Sequence, residues 1–364
     1  MFPHPLSSIS MEFKEGMSDI FENTSYYTDI LNDRTFTCEM DDSDQLLKVN
    51  RIVIPVLYSL VFMVGIAGNT LVVFILMRHR RLRSTTDYFL LHLAVADLLM
   101  LITFPFSVSE AAVGWLFGKF LCKAVLLISR LNFYCSSILL GCISVDRYLS
   151  IIHAIYVFRR QSVAAIQIPC FGVWLFCFLL SLPNLFILGT NEQDNYTWCT
   201  YHNSHFPSNH WWQAGRILNH VVGFLCPLIL MSFCYAHVIA ALYKSPRREK
   251  KRAVRVAVVI TAVFFICWTP YNVVVFLDTL NQLGLLQSCA VQSQMPLAIA
   301  ISELLGHVHC CLNPVLYAFV GVKFRNDALR VLKHAGWLKS RERGSISIVA
   351  RTTESESGTV MSSF

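Results

Sequence analysis

The sequence predicts an all-α membrane protein: a seven-transmembrane helix bundle with a short amphipathic eighth helix. Three observations carry this. Only 15% of the residues are charged and 55% are hydrophobic, whereas soluble domains carry about 25% charge. Seven apolar blocks recur, at 52–77, 88–113, 121–145, 163–188, 217–242, 254–280 and 296–320, and each clears the roughly 20 residues that a spanning helix needs. Lysine and arginine collect on alternate connections, the asymmetry that orients multi-span chains.

The chain divides into an acidic arm (1–50), the bundle (51–321), the amphipathic helix (322–338) and a Ser/Thr-rich tail (339–364). The arm holds ten acids and three bases, net −7, which leaves about +14 for the rest of a chain whose total is +7. No basic stretch with a short apolar core opens it, so the first block is expected to serve as its own insertion signal. Arg78, Arg80, Arg81 and Arg83 follow the first block, and Arg147, Arg159 and Arg160 follow the third. Lys244, Arg247, Arg248, Lys250, Lys251, Arg252 and Arg255 lie between the fifth and sixth. Those connections are expected in the cytoplasm with the C-terminus, and the arm outside.

Nine of the thirteen cysteines fall in or beside the apolar blocks, where thiols act as small packing residues. Cys38, Cys122, Cys199 and Cys289 fall on the outer side and suggest two disulfides, for which spacing leaves three pairings open. A Cys122–Cys199 bond would pin the long outer loop across the bundle mouth, and Cys38–Cys289 would tie down the arm. Asn23 and Asn195 begin glycosylation sequons. Tyr26 and Tyr27 sit among Asp19, Glu22 and Asp29, a setting for sulfation that would add negative charge.

Ionisable groups inside a span are costly and tend to be functional. Asp97 lies at mid-depth of the second block. Asn69, Asn132, Ser136 and Asn313 could converge on it as an oxygen-rich site for sodium or water. Pro105, Pro183, Pro227, Pro270 and Pro314 are expected within the second, fourth, fifth, sixth and seventh helices, each removing one backbone hydrogen bond. Trp268 beside Pro270 in "CWTPY" makes a pivot, and "NPVLY" brings Asn313, Pro314 and Tyr317 together. At the cytoplasmic end of the third helix, Asp146, Arg147 and Tyr148 form a charge cluster. Arg147 pairs with Asp146 in one arrangement. When the sixth helix moves away it is released, with Tyr235 and Tyr317 swinging in, which makes a two-state element.

Taken in order, Asn69, "LAVAD", "DRY", Trp174, Pro227 with Tyr235, "CWTP" and "NPVLY" resemble the rhodopsin-like G-protein-coupled receptors. "TFP" at 103–105, "DRYLSIIHA" and "HCCLNPVLYAFVGVKFR" resemble the CXC chemokine receptors within them, over about residues 50–335. Ser150 and Ile152 depart from the common residues after "DRY". Ser107 stands where many relatives place tryptophan and opens that side of the cavity. No cysteine follows Cys311, so tail palmitoylation is not expected.

The resemblance implies a receptor, not an enzyme, in the plasma membrane. Its acidic arm, with Asp29, Tyr26 and Tyr27, would steer a basic CXC chemokine to the bundle. The ligand's amino terminus would then meet Glu303, or second Glu110, with Tyr271, Trp115, Arg130 and Arg216 lining the same pocket. Arg130 could instead pair with Glu303 in the empty state. It further implies a heterotrimeric G protein of the inhibitory type docking beside Arg147, Lys251 and Arg252, driving leukocyte chemotaxis, B cells first. An amphipathic helix at 324–332 would lie on the bilayer, and receptor kinases would phosphorylate the tail for arrestin. No cofactor is implied beyond a sodium ion as allosteric modulator, and no nucleic acid. A scavenging receptor would lose the Asp146–Arg147–Tyr148 cluster, which is intact here. A transporter would show internal repeats, and none is found. His92, His153, His237, His307 and His309 show no metal spacing with acids.

Overall fold

The computed structural model describes residues 49–79, 85–153, 163–193, 196–201, 210–243, 248–283, 285–286, 289–320, 324–326 and 329–330. Among them α1 is Ile54–Phe74, extended at each end by a π-helical turn. α2 is Thr85–Val113, α3 is Gly118–Ile152 and α4 is Val163–Ser181. α5 runs without a break through His210–Leu218, a π-helical stretch Asn219–Leu225, and Cys226–Tyr243. α6 is Arg248–Gln282 and α7 is Cys289–Val320. Between α4 and α5 lies an antiparallel hairpin, β1 (Leu188–Gln193) and β2 (Tyr196–Tyr201), with Thr190 opposite Cys199.

Six of these helices are long and apolar enough to cross a membrane, and α4 carries a shorter apolar run, Ile166–Ser181. The 19 residues of α4 still reach about 28 Å at 1.5 Å per residue, close to a hydrocarbon core of roughly 30 Å. Its apolar block was expected to stay helical to residue 188 and to hold Pro183. The helix instead ends at Ser181, and Pro183 sits in the turn that follows. The single turn Asn184–Ile187 then leads into β1. Pro183 lacks the N–H that would continue the ladder, and its ring obstructs the carbonyl four residues back. Pro169 is the proline inside α4. In α5 the π-helical stretch precedes Pro227 and absorbs the same conflict by widening the turn.

Apolarity is inverted relative to a water-soluble domain. Large side chains such as Phe171, Ile229 and Ile266 face outward, while Asn69, Asp97, Ser136, His309 and Asn313 are fully buried. Lipid is the solvent this surface fits, since a soluble monomer rarely exposes so extensive an apolar face. α1 packs on α2 and α7, α7 on α6, and α6 on α5. α3 lies innermost and touches α2, α4, α5 and α6. The large core centres on Phe133, Tyr134, Leu139 and Leu140 of α3 with Phe264 and Trp268 of α6.

The turn between α2 and α3 is made by two glycines with positive φ, Gly114 (92°) and Gly118 (75°), a region that side chains with a Cβ disfavour. The eighth helix is seen as helical residues at 324–326 and 329–330. The rest of 322–338, the tail and the arm to residue 48, with Asn23, Tyr26, Tyr27, Asp29 and Cys38, lie outside the described residues. So do Asn195 and the expected Cys38–Cys289 bond.

Candidate functional site

The polar and aromatic groups form a column through the bundle, from the end that carries the hairpin to the end that carries Arg147. At the hairpin end, Cys122 and Cys199 are disulfide-bonded with Cα atoms 5.4 Å apart. Two further contacts hold β2: the Trp115 amide donates to the Thr197 carbonyl (2.7 Å), and the Cys199 amide donates to Glu110 Oε1 (2.7 Å). The Trp115 indole donates to the Gly118 carbonyl (2.9 Å) and packs with Cys122 and Val125. Trp115 was expected on the pocket wall; it is only 2% exposed and braces the hairpin.

Below the hairpin, Arg130 of α3 donates to the Tyr271 hydroxyl (3.1 Å) and lies against its ring. Arg216 of α5 pairs with Asp278 of α6 at 2.5 Å and reaches Thr279 Oγ1 at 3.2 Å. Asp278 is an acid within the sixth apolar block. The rule that singles out Asp97 would have found it too, yet the sequence reading passed over it. Glu303 is half-buried on α7, one turn before His307, whose ring sits 3.4 Å from both Tyr58 and Ser129.

Trp268 lies beneath, 2% exposed. Its ring meets Phe133 edge to face at 4.7 Å between centroids, and Tyr271 and His307 at 5.5 Å each. A Cβ added at Gly306 would sit 2.8 Å from the Trp268 six-membered ring, so α7 approaches α6 here only because position 306 lacks a side chain.

One turn deeper, Asp97 accepts from the side-chain amides of Asn313 (2.9 Å) and Asn132 (3.3 Å). The structure thus brings three of the expected site residues together. Asn69 is not among Asp97's hydrogen-bond partners: its amide donates to the carbonyls of Gly65 (3.0 Å) and Cys310 (2.8 Å), tying α1 to α7. Ser136 is buried, and its hydroxyl has no hydrogen-bond partner among the described residues; the same holds for Asn313 Oδ1. A carboxylate with unpaired hydroxyl and carbonyl oxygens is a donor set that fits sodium or water. Spacing did not group His309 with an acid, but α2 carries Asp97 to 3.6 Å from it.

At the far end, Arg147 and Asp146 are paired at 3.2 Å. Thr86 of α2 completes a triangle, donating to Asp146 Oδ2 (2.9 Å) and accepting from Arg147. Its role was not read from the sequence, because a lone threonine at a helix start reads as a cap. Tyr148 packs between Phe233 and His237 of α5. The Tyr235 hydroxyl meets Thr261 at 3.3 Å, and Tyr317 is buried with its hydroxyl unpartnered among the described residues. Neither tyrosine hydroxyl is hydrogen-bonded to Arg147. Lys251 is exposed, and the Arg252 side chain lies outside the described residues.

This arrangement offers a mouth, a hinge layer and a charged lock in series, an apparatus for relaying a shape change. Residues 68–317 match the family model of the 7 transmembrane receptor (rhodopsin family). The C-X-C chemokine receptor type 5 of Mus musculus is 43% identical over 342 residues, covering 92% of this chain and 91% of its own. The type 5 receptor of Homo sapiens is 42% identical over 330 residues, covering 88% and 89%. The C-X-C chemokine receptor type 3 of Bos taurus is 42% identical over 339 residues, covering 91% of each. Relatives of this kind are receptors rather than enzymes, and they sit in the plasma membrane as multi-pass proteins. The chain belongs to the rhodopsin family of seven-transmembrane receptors, and within it to the CXC chemokine receptors.

Proposed function

We propose that this receptor binds a basic chemokine of the type 5 class at the hairpin end, faced outward, and activates an inhibitory-type G protein at the arginine end. The observation that carries the reading is the Asp146–Thr86–Arg147 triangle. It is a lock whose partners lie on α2 and α3 and which an outward movement of α6 can release, under a hinge built on Trp268 and Pro270. The acidic arm speeds capture of the chemokine core, and Glu303 receives the ligand's amine. Arg130, held by Tyr271 at the same level, moves when that acid is occupied. Type 5 is preferred over type 3 on the stretches "VGWLFGKFLCK" and "NFYCSSILLGCISVDRY"; the overall identities, 43% and 42%, do not separate the two. Receptor kinases and arrestin act on the phosphorylated tail, and the output is B-cell chemotaxis.

The test is a cyclic-AMP response to a chemokine panel in transfected cells, repeated with Glu303→Gln. The reading expects a response to a type 5 ligand and a potency loss of about tenfold or more in the variant, the scale of one charged hydrogen bond. Silence to every chemokine at normal surface expression overturns the ligand class. Unchanged potency in the variant overturns the role of Glu303.

A further inference from the structure

We infer that Asp97, His309 and Cys310 form a binding site for a thiophilic divalent cation, zinc first, clamping α2 to α7. All three residues are fully buried, and their ligand atoms lie within 4.8 Å of one another. His309 Nε2 is 3.6 Å from Asp97 Oδ1 and 3.7 Å from Cys310 Sγ. Ligands on one tetrahedral zinc stand roughly 3.3–3.8 Å apart, given metal–ligand lengths of about 2.0–2.3 Å. The cluster is near that spacing before any ion enters.

The hydrogen bonds show why a cation fits. His309 Nδ1 lies 2.6 Å from the Gly306 carbonyl. A carbonyl can only accept, so Nδ1 carries the proton. In the neutral ring Nε2 then presents a lone pair to the Asp97 carboxylate, an arrangement of two acceptors that a cation resolves. A backbone carbonyl fixing the other ring nitrogen is the usual support of a metal-bound histidine. Asn132 and Asn313 hold the carboxylate from outside, as such supports do. The Ser136 hydroxyl, buried and unpartnered among the described residues, lies one turn from Asn132 on the same face of α3. It is available as a fourth ligand. On loading, the Cys310 thiol gives its proton to solvent, and carboxylate plus thiolate neutralise the divalent charge, which a low-dielectric site favours. The imidazole and thiol ligands set this ion apart from the sodium that oxygen atoms alone would hold.

The test uses the full-length receptor in lipid nanodiscs, stripped with a chelator, titrated with cobalt(II) and then zinc. The expected result is one cobalt with a thiolate charge-transfer band, displaced by zinc, and a zinc-dependent rise in thermal stability. Cys310→Ser should abolish the band. His309→Gln, which keeps an N–H for the Gly306 carbonyl, should weaken zinc by at least about tenfold, since even supporting groups are worth that much. Cys311→Ser, at the adjacent cysteine outside the cluster, should leave both readouts unchanged. No thiolate band in the parent, or a band that survives Cys310→Ser, overturns the proposal. So does stabilisation by sodium alone, or insensitivity to every cation, which would mean that a shared proton bridges Asp97 and His309.

Discussion

Gly306→Ala tests the hinge layer with a single methyl group. The new carbon would lie 2.8 Å from Cε3 and Cζ3 of Trp268 and 3.0 Å from Cδ2. Comfortable carbon contacts begin near 3.5–4.0 Å, so the ring or α7 must give by about 0.7–1.2 Å. The ring has little room, because Phe133, Tyr271 and His307 enclose it. Overpacking of this kind costs about 1–3 kcal/mol. If activation swings Trp268 away from α7, the cost falls on the resting arrangement alone. That bias shifts the resting-to-active ratio by roughly 5–150-fold. Ligand-free nucleotide exchange on a G protein, measured with purified receptor at matched concentration, should therefore rise, while the melting temperature of the unliganded receptor falls. Unchanged exchange with an unchanged melting temperature would refute the steric argument. A fall in basal exchange would refute the direction of the swing.

Other perturbations probe separate parts of the column. Thr86→Val keeps the side-chain shape but removes the hydroxyl that joins Asp146 to Arg147. A net loss of about 1 kcal/mol should raise ligand-free nucleotide exchange roughly fivefold, and an unchanged rate would remove Thr86 from the lock. Asp278→Asn strands Arg216 between α5 and α6, where the pair is 18% and 11% exposed. Partial exposure reduces the cost of breaking a buried pair to about 1–2 kcal/mol, seen as a lower melting temperature. A double-mutant cycle with Arg216→Gln should return a coupling of about 1 kcal/mol, and additive effects would show that the pair contributes nothing.

The spans were legible because lipid allows few alternatives: an apolar run long enough to cross must satisfy its backbone internally, as helix. Asp97 was legible as a centre because a carboxylate at that depth needs donors, and the helices offered few. What the sequence withheld was rotation and depth. Asn69 shares the layer of Asp97, but its amide points at the α7 backbone, which no spacing within α1 reveals. His309 and Cys310 are neighbours in sequence, yet their acid comes from α2, more than two hundred residues earlier. Trp115 follows a glycine in a loop, and only the hairpin that folds over it decides that its ring faces Cys122 rather than the cavity. The end of α4 was misjudged because apolar residues beyond Pro183 continue the pattern while the backbone cannot.

The central claim is that chemokine binding at the hairpin end opens the arginine end. Paired spin probes at Met77 at the end of α1 and Lys251 on α6, both exposed, report that opening directly in nanodiscs. The account predicts that a type 5 chemokine lengthens the Met77–Lys251 separation by an amount on the order of one helical turn, about 5 Å, with the longer distance favoured further by a G protein. An unchanged separation while the same sample catalyses nucleotide exchange would contradict it.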